Sequence, residues 1–173
     1  SEWARTCRLL SNAGYEELGR KKKFDKPPKK SYRTSKQFGL ETITITDGGS
    51  VSFRTRTDSG GLGEGYDLLI IDEAQEYTGA QETALKYVVS DSMNPQTIFC
   101  GTPPTAVSSG TVFMKMRDEA LEGNTENTGW AEWSVEKQTD PHDRESWYET
   151  NPSLGVILTE RKIADEIGPD ELD

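Results

Sequence analysis

At 173 residues, with 30 acidic against 20 basic side chains and a formal net charge of −10, the chain has room for one domain-sized core and is not a globally basic nucleic-acid binder. Two cysteines far apart, Cys7 and Cys100, and a single histidine, His142, leave neither a disulfide framework nor a zinc site, which fits a reducing cytoplasm. No apolar run approaches the roughly 20 residues of a membrane span, no signal peptide opens the chain, and a mean hydropathy of −0.75 predicts several solvated segments.

Residues 1–18 set Trp3, Cys7, Leu10 and Leu18, with Leu9 beside them, at helical spacing, which predicts a helix with one apolar stripe that Gly14 interrupts or ends. From Gly14 to Lys21 the run Gly-Tyr-Glu-Glu-Leu-Gly-Arg-Lys imitates a phosphate loop. A true GxxxxGK[ST] follows a strand, sends its Lys to the β/γ-phosphates and its hydroxyl to Mg²⁺. Arg20 and Lys21 stand at those two positions and a helix precedes, so the match is rejected.

Residues 20–36 are basic and broken by Pro27-Pro28; Lys21, Lys22, Lys23, Lys29 and Lys30 lie among them. A solvated, self-repelling loop is the first expectation. A salt-sensitive contact of these lysines with the phosphate backbone of DNA is the second. Residues 40–46 then alternate Ile and Thr, Asp47-Gly48-Gly49 makes a turn, and residues 51–57 alternate again, predicting a β-hairpin. Arg54 and Arg56 are expected to share one face of its second strand; a plain exposed basic face is the first expectation and contact of either arginine with a phosphate the second.

The centre of the chain is Asp67-Leu68-Leu69-Ile70-Ile71-Asp72-Glu73-Ala74-Gln75. Four apolar residues are too few for a helix and predict a strand buried on both faces, as in a parallel sheet. Asp72 and Glu73 then fall at its carboxyl end, the edge where open α/β sheets bind ligands. Two carboxylates there suit nucleotide hydrolysis, the first holding Mg²⁺ through water and the second polarising the attacking water, in the manner of a Walker B motif.

Thr78-Gly79-Ala80-Gln81 resembles a capping box and opens a helix with Ala84, Leu85 and Val88 on one side, stopped by Asn94-Pro95. Thr97-Ile98-Phe99-Cys100 predicts a second buried strand, parallel to the first if the helix is a crossover, and ends in Gly101-Thr102-Pro103-Pro104. Taken alone, Thr102 reads as a strand-end residue that caps the turn; paired with the first strand end one βαβ unit away, its hydroxyl is expected near Glu73, positioned for the attacking water or the γ-phosphate. Residues 112–121 read as a helix and 122–128 as a loop. Trp130, Trp133 and Val135 suggest a further strand with core tryptophans, residues 141–149 a short helix broken at Asn151-Pro152, and Thr159 the cap of a last helix carrying Ile163 and Ile167. His142 is expected to be exposed.

Laid out in this order, the chain resembles, over nearly its whole length, the ATPase part of tailed-phage terminase large subunits, the motors that pump DNA into proheads. The resemblance is carried by the hairpin ending Phe53-Arg54-Thr55-Arg56, the stretch from Asp67 to Gln75, Phe99-Cys100-Gly101-Thr102-Pro103-Pro104, and the distal Glu132-Trp133-Ser134 and Asn151-Pro152-Ser153-Leu154-Gly155. It implies an α/β fold: a RecA-like P-loop NTPase (ASCE) core on a parallel sheet, incomplete at the N-terminus, with a β-hairpin and a C-terminal helical lid or linker. Residues 1–128 would be the partial core and 129–173 the lid or linker leading toward a nuclease domain.

By the same resemblance Asp72 coordinates Mg²⁺ through water, Glu73 is the general base, and Gly101 and Thr102 form the coupling motif relaying nucleotide state to DNA movement. Arg56 substitutes for a phosphate-sensing arginine whose usual place is held by Leu62. ATP and Mg²⁺ are the implied cofactors. Double-stranded DNA, a portal protein, a terminase small subunit and further copies of the chain in a ring are the implied partners, in the host cytoplasm with no membrane. The family's phosphate loop and nuclease aspartates do not occur within these residues, so the chain, which also lacks an initiator Met, is expected to be an internal fragment, inactive alone. A helicase-type ATPase built on the Asp-Glu-Ala-Gln box, or a non-catalytic DNA-binding or assembly module, are the alternatives.

Overall fold

The computed structural model describes residues 2–19, 28–37, 39–55 and 65–168, which form a mixed α/β structure of two compact units, Ser1–Met114 and Lys115–Asp173. The sequence starts with helix α1 (Glu2–Asn12). Gly14 ends it at φ 83° as Tyr15 N–H returns to the Leu10 carbonyl and Gly14 N–H to that of Ser11, each 3.0 Å. This pair of bonds is a Schellman motif, which satisfies carbonyls the last turn would otherwise leave open. Leu18 is not part of the helix stripe: it follows strand β1 (Glu16–Glu17) and is buried there, its N–H on the Tyr32 carbonyl at 2.9 Å.

Strand β2 (Ser31–Ser35) lies between β1, parallel to it, and β3 (Thr42–Ile45), antiparallel; β4 (Ser50–Ser52) completes a four-stranded mixed sheet in the order β1-β2-β3-β4. The expected solvated loop over residues 20–36 is therefore corrected at its C-terminal part, where β2 is an interior strand. Tyr32 and Ser31 are fully buried. Tyr32 Oη reaches Ser11 Oγ at 3.3 Å and donates to the Cys7 carbonyl at 3.4 Å, pinning α1 to the sheet. Ser31 Oγ donates to the Pro28 carbonyl and meets Thr46 Oγ1, both at 2.6 Å. Lys36 sets its ammonium 4.8 Å from the Trp3 ring centroid. Local pairing of Tyr32 with Ile45 thus outweighs the self-repulsion suggested by composition.

The β3–β4 hairpin forms as predicted, with Gly48 and Gly49 at φ 104° and 93° in its turn. Its second strand ends at Ser52, so Arg54 lies past the ladder, donating to the carbonyls of Phe53 and Glu41, and not on a strand face as expected.

A second sheet pairs β5 (Leu68–Ile71) with β6 (Gln96–Phe99) in parallel, Ile70 opposite Ile98 and Ile71 opposite Phe99. Between them Thr78 closes a capping box with Gln81 at the start of helix α2 (Gly79–Leu85). Tyr66 N–H on the Val88 carbonyl at 2.9 Å, and Ser92 Oγ on Asp67 at 2.7 Å, fasten the base of the unit. Burial on both faces is corrected: Ile71 is 2% exposed, but Ile70 is 57% and Ile98 45% exposed. One face of this two-stranded sheet is covered, with the Tyr77 ring 5.8 Å from that of Phe99, and the other is open.

Helix α3 (Val112–Leu121) contains the division between the units and ends in a second Schellman motif at Gly123, φ 74°. No strand forms over residues 129–135, and Trp133 is 57% exposed, not a core residue. Glu132 organises this segment instead, as described below. Helix α4 (Arg144–Thr150) is capped by Asp143, whose carboxyl lies below its ordinary value because Ser146 Oγ and Glu145 N–H bond to it. Trp147 is buried, its indole N–H on the Pro141 carbonyl at 2.6 Å. Helix α5 (Glu160–Ile167) joins α4 through Glu160, which accepts from Arg144 and Tyr148 at 2.7 Å each. His142 is half-buried and its Nε2 bonds the Gly168 carbonyl at 3.1 Å, so it is not the exposed residue expected. Among the described residues no helix is long and apolar enough to cross a membrane.

Candidate functional site

The carboxyl ends of β5 and β6 carry the candidate site. Because the strands are parallel neighbours in register, Asp72-Glu73 and Gly101-Thr102 emerge at the same end of one sheet. The ladder runs past the strands: Cys100 N–H bonds the Ile71 carbonyl at 2.9 Å, and Ala74 N–H bonds the Cys100 carbonyl at 2.8 Å. The chain after β5 then winds into a short 3-10 turn over Ala74–Glu76.

Glu73 enters that turn in the left-handed region, φ 51° and ψ 51°. For a residue with a Cβ this conformation costs roughly 1–2 kcal/mol, and residues held that way cluster at functional sites. Glu73 N–H donates to Asp72 Oδ1 at 3.1 Å, which ties the two acidic residues together locally. Both remain open to solvent.

Gln75 spans the two strand ends. Its amide nitrogen donates to Glu73 Oε2, and its amide oxygen accepts from the Thr102 N–H at 3.2 Å. Gly101 leaves room for this: a Cβ there would sit 2.9 Å from Gln75 Oε1, 2.9 Å from Phe113 Cε1 and 3.2 Å from the Ala74 nitrogen. The loop after Thr102 returns to the same turn. Ser109 gives its N–H and hydroxyl to Glu76 Oε2 at 3.0 and 3.1 Å, and Gly110 packs directly on the backbone of Gln75 and Tyr77. The segment from Gly101 to Gly110 is thus clamped at both ends onto the residues that follow the acidic pair.

The structure brings together Asp72, Glu73, Gly101 and Thr102. Lys29 and Lys30 are exposed in a bend before β2, in the other sheet's surroundings. Lys21, Lys22, Lys23, Arg56 and Leu62 lie outside the described residues. Gln75 and Gly110 were not singled out from the sequence. The signal for Gln75 was present as the last residue of Asp-Glu-Ala-Gln; that for Gly110, a glycine in a polar loop, was not distinctive.

As a metal site the edge is sparse. Among the described residues no group of three or more His, Cys, Asp or Glu converges, so no all-protein cage is built there. The exposed Asp72 carboxylate, with Glu73 beside it, suits at most a cation such as Mg²⁺, which keeps several waters and shares its remaining positions with phosphate oxygens.

A second polar cluster lies in the other unit. Glu132 accepts from Arg117 Nε and Nη2 at 2.8 Å each, from Trp130 Nε1 at 2.9 Å and from Ser134 Oγ at 2.8 Å. The Arg117 bonds, then those of Ser134 and Trp130, hold its carboxyl at about 2. With four hydrogen bonds on its two oxygens, this carboxylate is a structural tie for residues 130–134. No protein-family model, curated protein or solved structure matches this chain.

Proposed function

We propose that this chain belongs to an ATP-driven DNA-packaging motor of the terminase large-subunit kind, with β5 and β6 as neighbouring strands of a RecA-like P-loop core. What carries the proposal is the meeting of the acidic pair with Gly101-Thr102 at one end of a parallel strand pair, bridged by Gln75. In this assignment Asp72 holds Mg²⁺ through water and Glu73 accepts the proton of the water that attacks the γ-phosphate in line. Gly101-Thr102 reports the state of the nucleotide. The phosphate-binding backbone amides and Lys of such a core are not supplied by these 173 residues, which contain no GxxxxGK[ST]. Alone they are expected to hold triphosphate weakly and to leave transition-state charge unneutralised.

The test is ATP hydrolysis by the protein of the full open reading frame, with and without double-stranded DNA. Glu73→Gln should lower the DNA-stimulated rate by about 10²–10⁴-fold, the range for a general base, with nucleotide binding retained. Asp72→Asn should raise the Mg²⁺ concentration required. Unchanged hydrolysis in Glu73→Gln refutes the assignment, and separation of a forked duplex without packaging would place the protein among helicases instead.

A further inference from the structure

We infer that Gln75 is a positioning residue that makes the Glu73 carboxylate and the Gly101–Thr102 backbone move as one unit. The inference rests on the proposed role of Glu73 as the base, and it adds a regulatory link to that site. A glutamine amide can donate and accept at once. Here the donor half is on Glu73 Oε2 and the acceptor half on Thr102 N–H at 3.2 Å. The two halves share one rigid planar group, so Thr102 cannot withdraw from β5 without turning or releasing the group that aims the carboxylate.

The surroundings leave this amide few alternative positions. Gly101 packs so closely that even a methyl group would press on Gln75 Oε1, while Ala74 N–H holds the Cys100 carbonyl at 2.8 Å just behind. The far end of the same loop is fixed to Glu76 by Ser109 and to the 75–77 backbone by Gly110. Both ends of residues 102–109 are therefore fastened to the turn carrying Gln75. Displacement of the loop by a bound partner or nucleotide would re-aim the carboxylate through Gln75.

Amide-proton exchange in the 173-residue chain tests this without nucleotide. Glu73→Asn tolerates the left-handed backbone but shortens the side chain, and it should speed exchange at Thr102 by about fivefold, the worth of one ordinary hydrogen bond. In Gln75→Met, which keeps the volume and removes both bonds, Thr102 should exchange at least as fast as in Glu73→Asn, and adding Glu73→Asn should change it no further. Cys100 N–H, bonded to the Ile71 carbonyl at 2.9 Å, serves as the internal control and should be unaffected throughout. An effect of Glu73→Asn on Thr102 that persists in Gln75→Met, no effect in either background, or equal acceleration at Cys100 each overturns the relay. Because no ATP is involved, such a failure would leave the hydrolase proposal standing, and a failure of hydrolysis would leave the coupling result intact.

Discussion

The Arg117 guanidinium holds the Glu132 carboxylate in a fork, Nε on Oε2 and Nη2 on Oε1, both at 2.8 Å. With Ser134 and Trp130 adding one bond each, the carboxyl falls from its ordinary 4.5 to about 2. A group whose folded value is depressed contributes stability above its unfolded value and loses it as pH falls through the folded one. Residues 130–134 should therefore stay on α3 at pH 5 and release between about 4.5 and 2. The indole N–H resonance of Trp130 reports this directly. Its position should be constant above pH 5 and move within that window, and Glu132→Gln should remove the dependence at a cost of about 1 kcal/mol at neutral pH, the upper range for an exposed pair. A Trp130 signal unmoved down to pH 2.5 would contradict the assignment.

Gly110 is required for its size. A Cβ there would lie 2.6 Å from the Tyr77 nitrogen and 2.8 Å from the Glu76 carbonyl carbon, both backbone atoms that cannot swing aside. Gly110→Ala is expected to lower the stability of the first unit by about 1–3 kcal/mol, as overpacking does. Gly65, whose added Cβ would meet nothing within 4 Å among the described residues and whose φ is not positive, is the matched comparison. Gly65→Ala should be neutral or slightly stabilising. Urea midpoints of the two variants decide it, and equal midpoints would mean that the loop does not rest on the turn as described.

The parts legible in the sequence are those where a local rule and the tertiary context agree. The capping box at Thr78, the glycine turn at 47–49 and the bounds of α3 were all predicted because side-chain chemistry and backbone geometry are settled within a few residues. The acidic pair was located by its position after an apolar run. Strand β2 is hidden from composition because its stability comes from Tyr32 and Ser31 reaching residues such as Cys7 and Thr46, which no composition window includes. The tryptophan-rich segment departs from the strand expected of it for the converse reason: Trp130 and Ser134 bond back to Glu132 two residues away, an arrangement that satisfies polar groups and needs no partner strand. Burial on both faces of β5 was inferred from four apolar letters, which are equally compatible with a sheet open on one side.

Ser31 gives a direct check on β2 as an interior strand. Its hydroxyl is fully buried between the Pro28 carbonyl and Thr46 Oγ1. Ser31→Ala strips a partner from both and should cost about 1–3 kcal/mol, while Ser35→Ala, at the exposed end of the same strand, should stay within about 0.5 kcal/mol of the parent. If both substitutions prove silent, residues 31–35 are the solvated segment that composition suggested.

The left-handed backbone at Glu73 predicts a reversal of the usual order of glycine and alanine. At most positions glycine is the less stable of the two because it loses more backbone entropy on folding. At φ 51° the alanine carries the steric cost instead. Both Glu73→Gly and Glu73→Ala delete the carboxylate and its bond from Gln75, so the comparison isolates the backbone contribution. Glu73→Gly should be the more stable by about 1 kcal/mol, read from denaturant midpoints with equal slopes. The same result would show that the chain accepts conformational strain at the residue proposed to act as base, since either substitution should also abolish DNA-stimulated hydrolysis in the protein of the full reading frame. An alanine variant as stable as the glycine variant would mean that Glu73 is free to leave the left-handed region, and the acidic pair would then lack the fixed geometry that general-base chemistry requires.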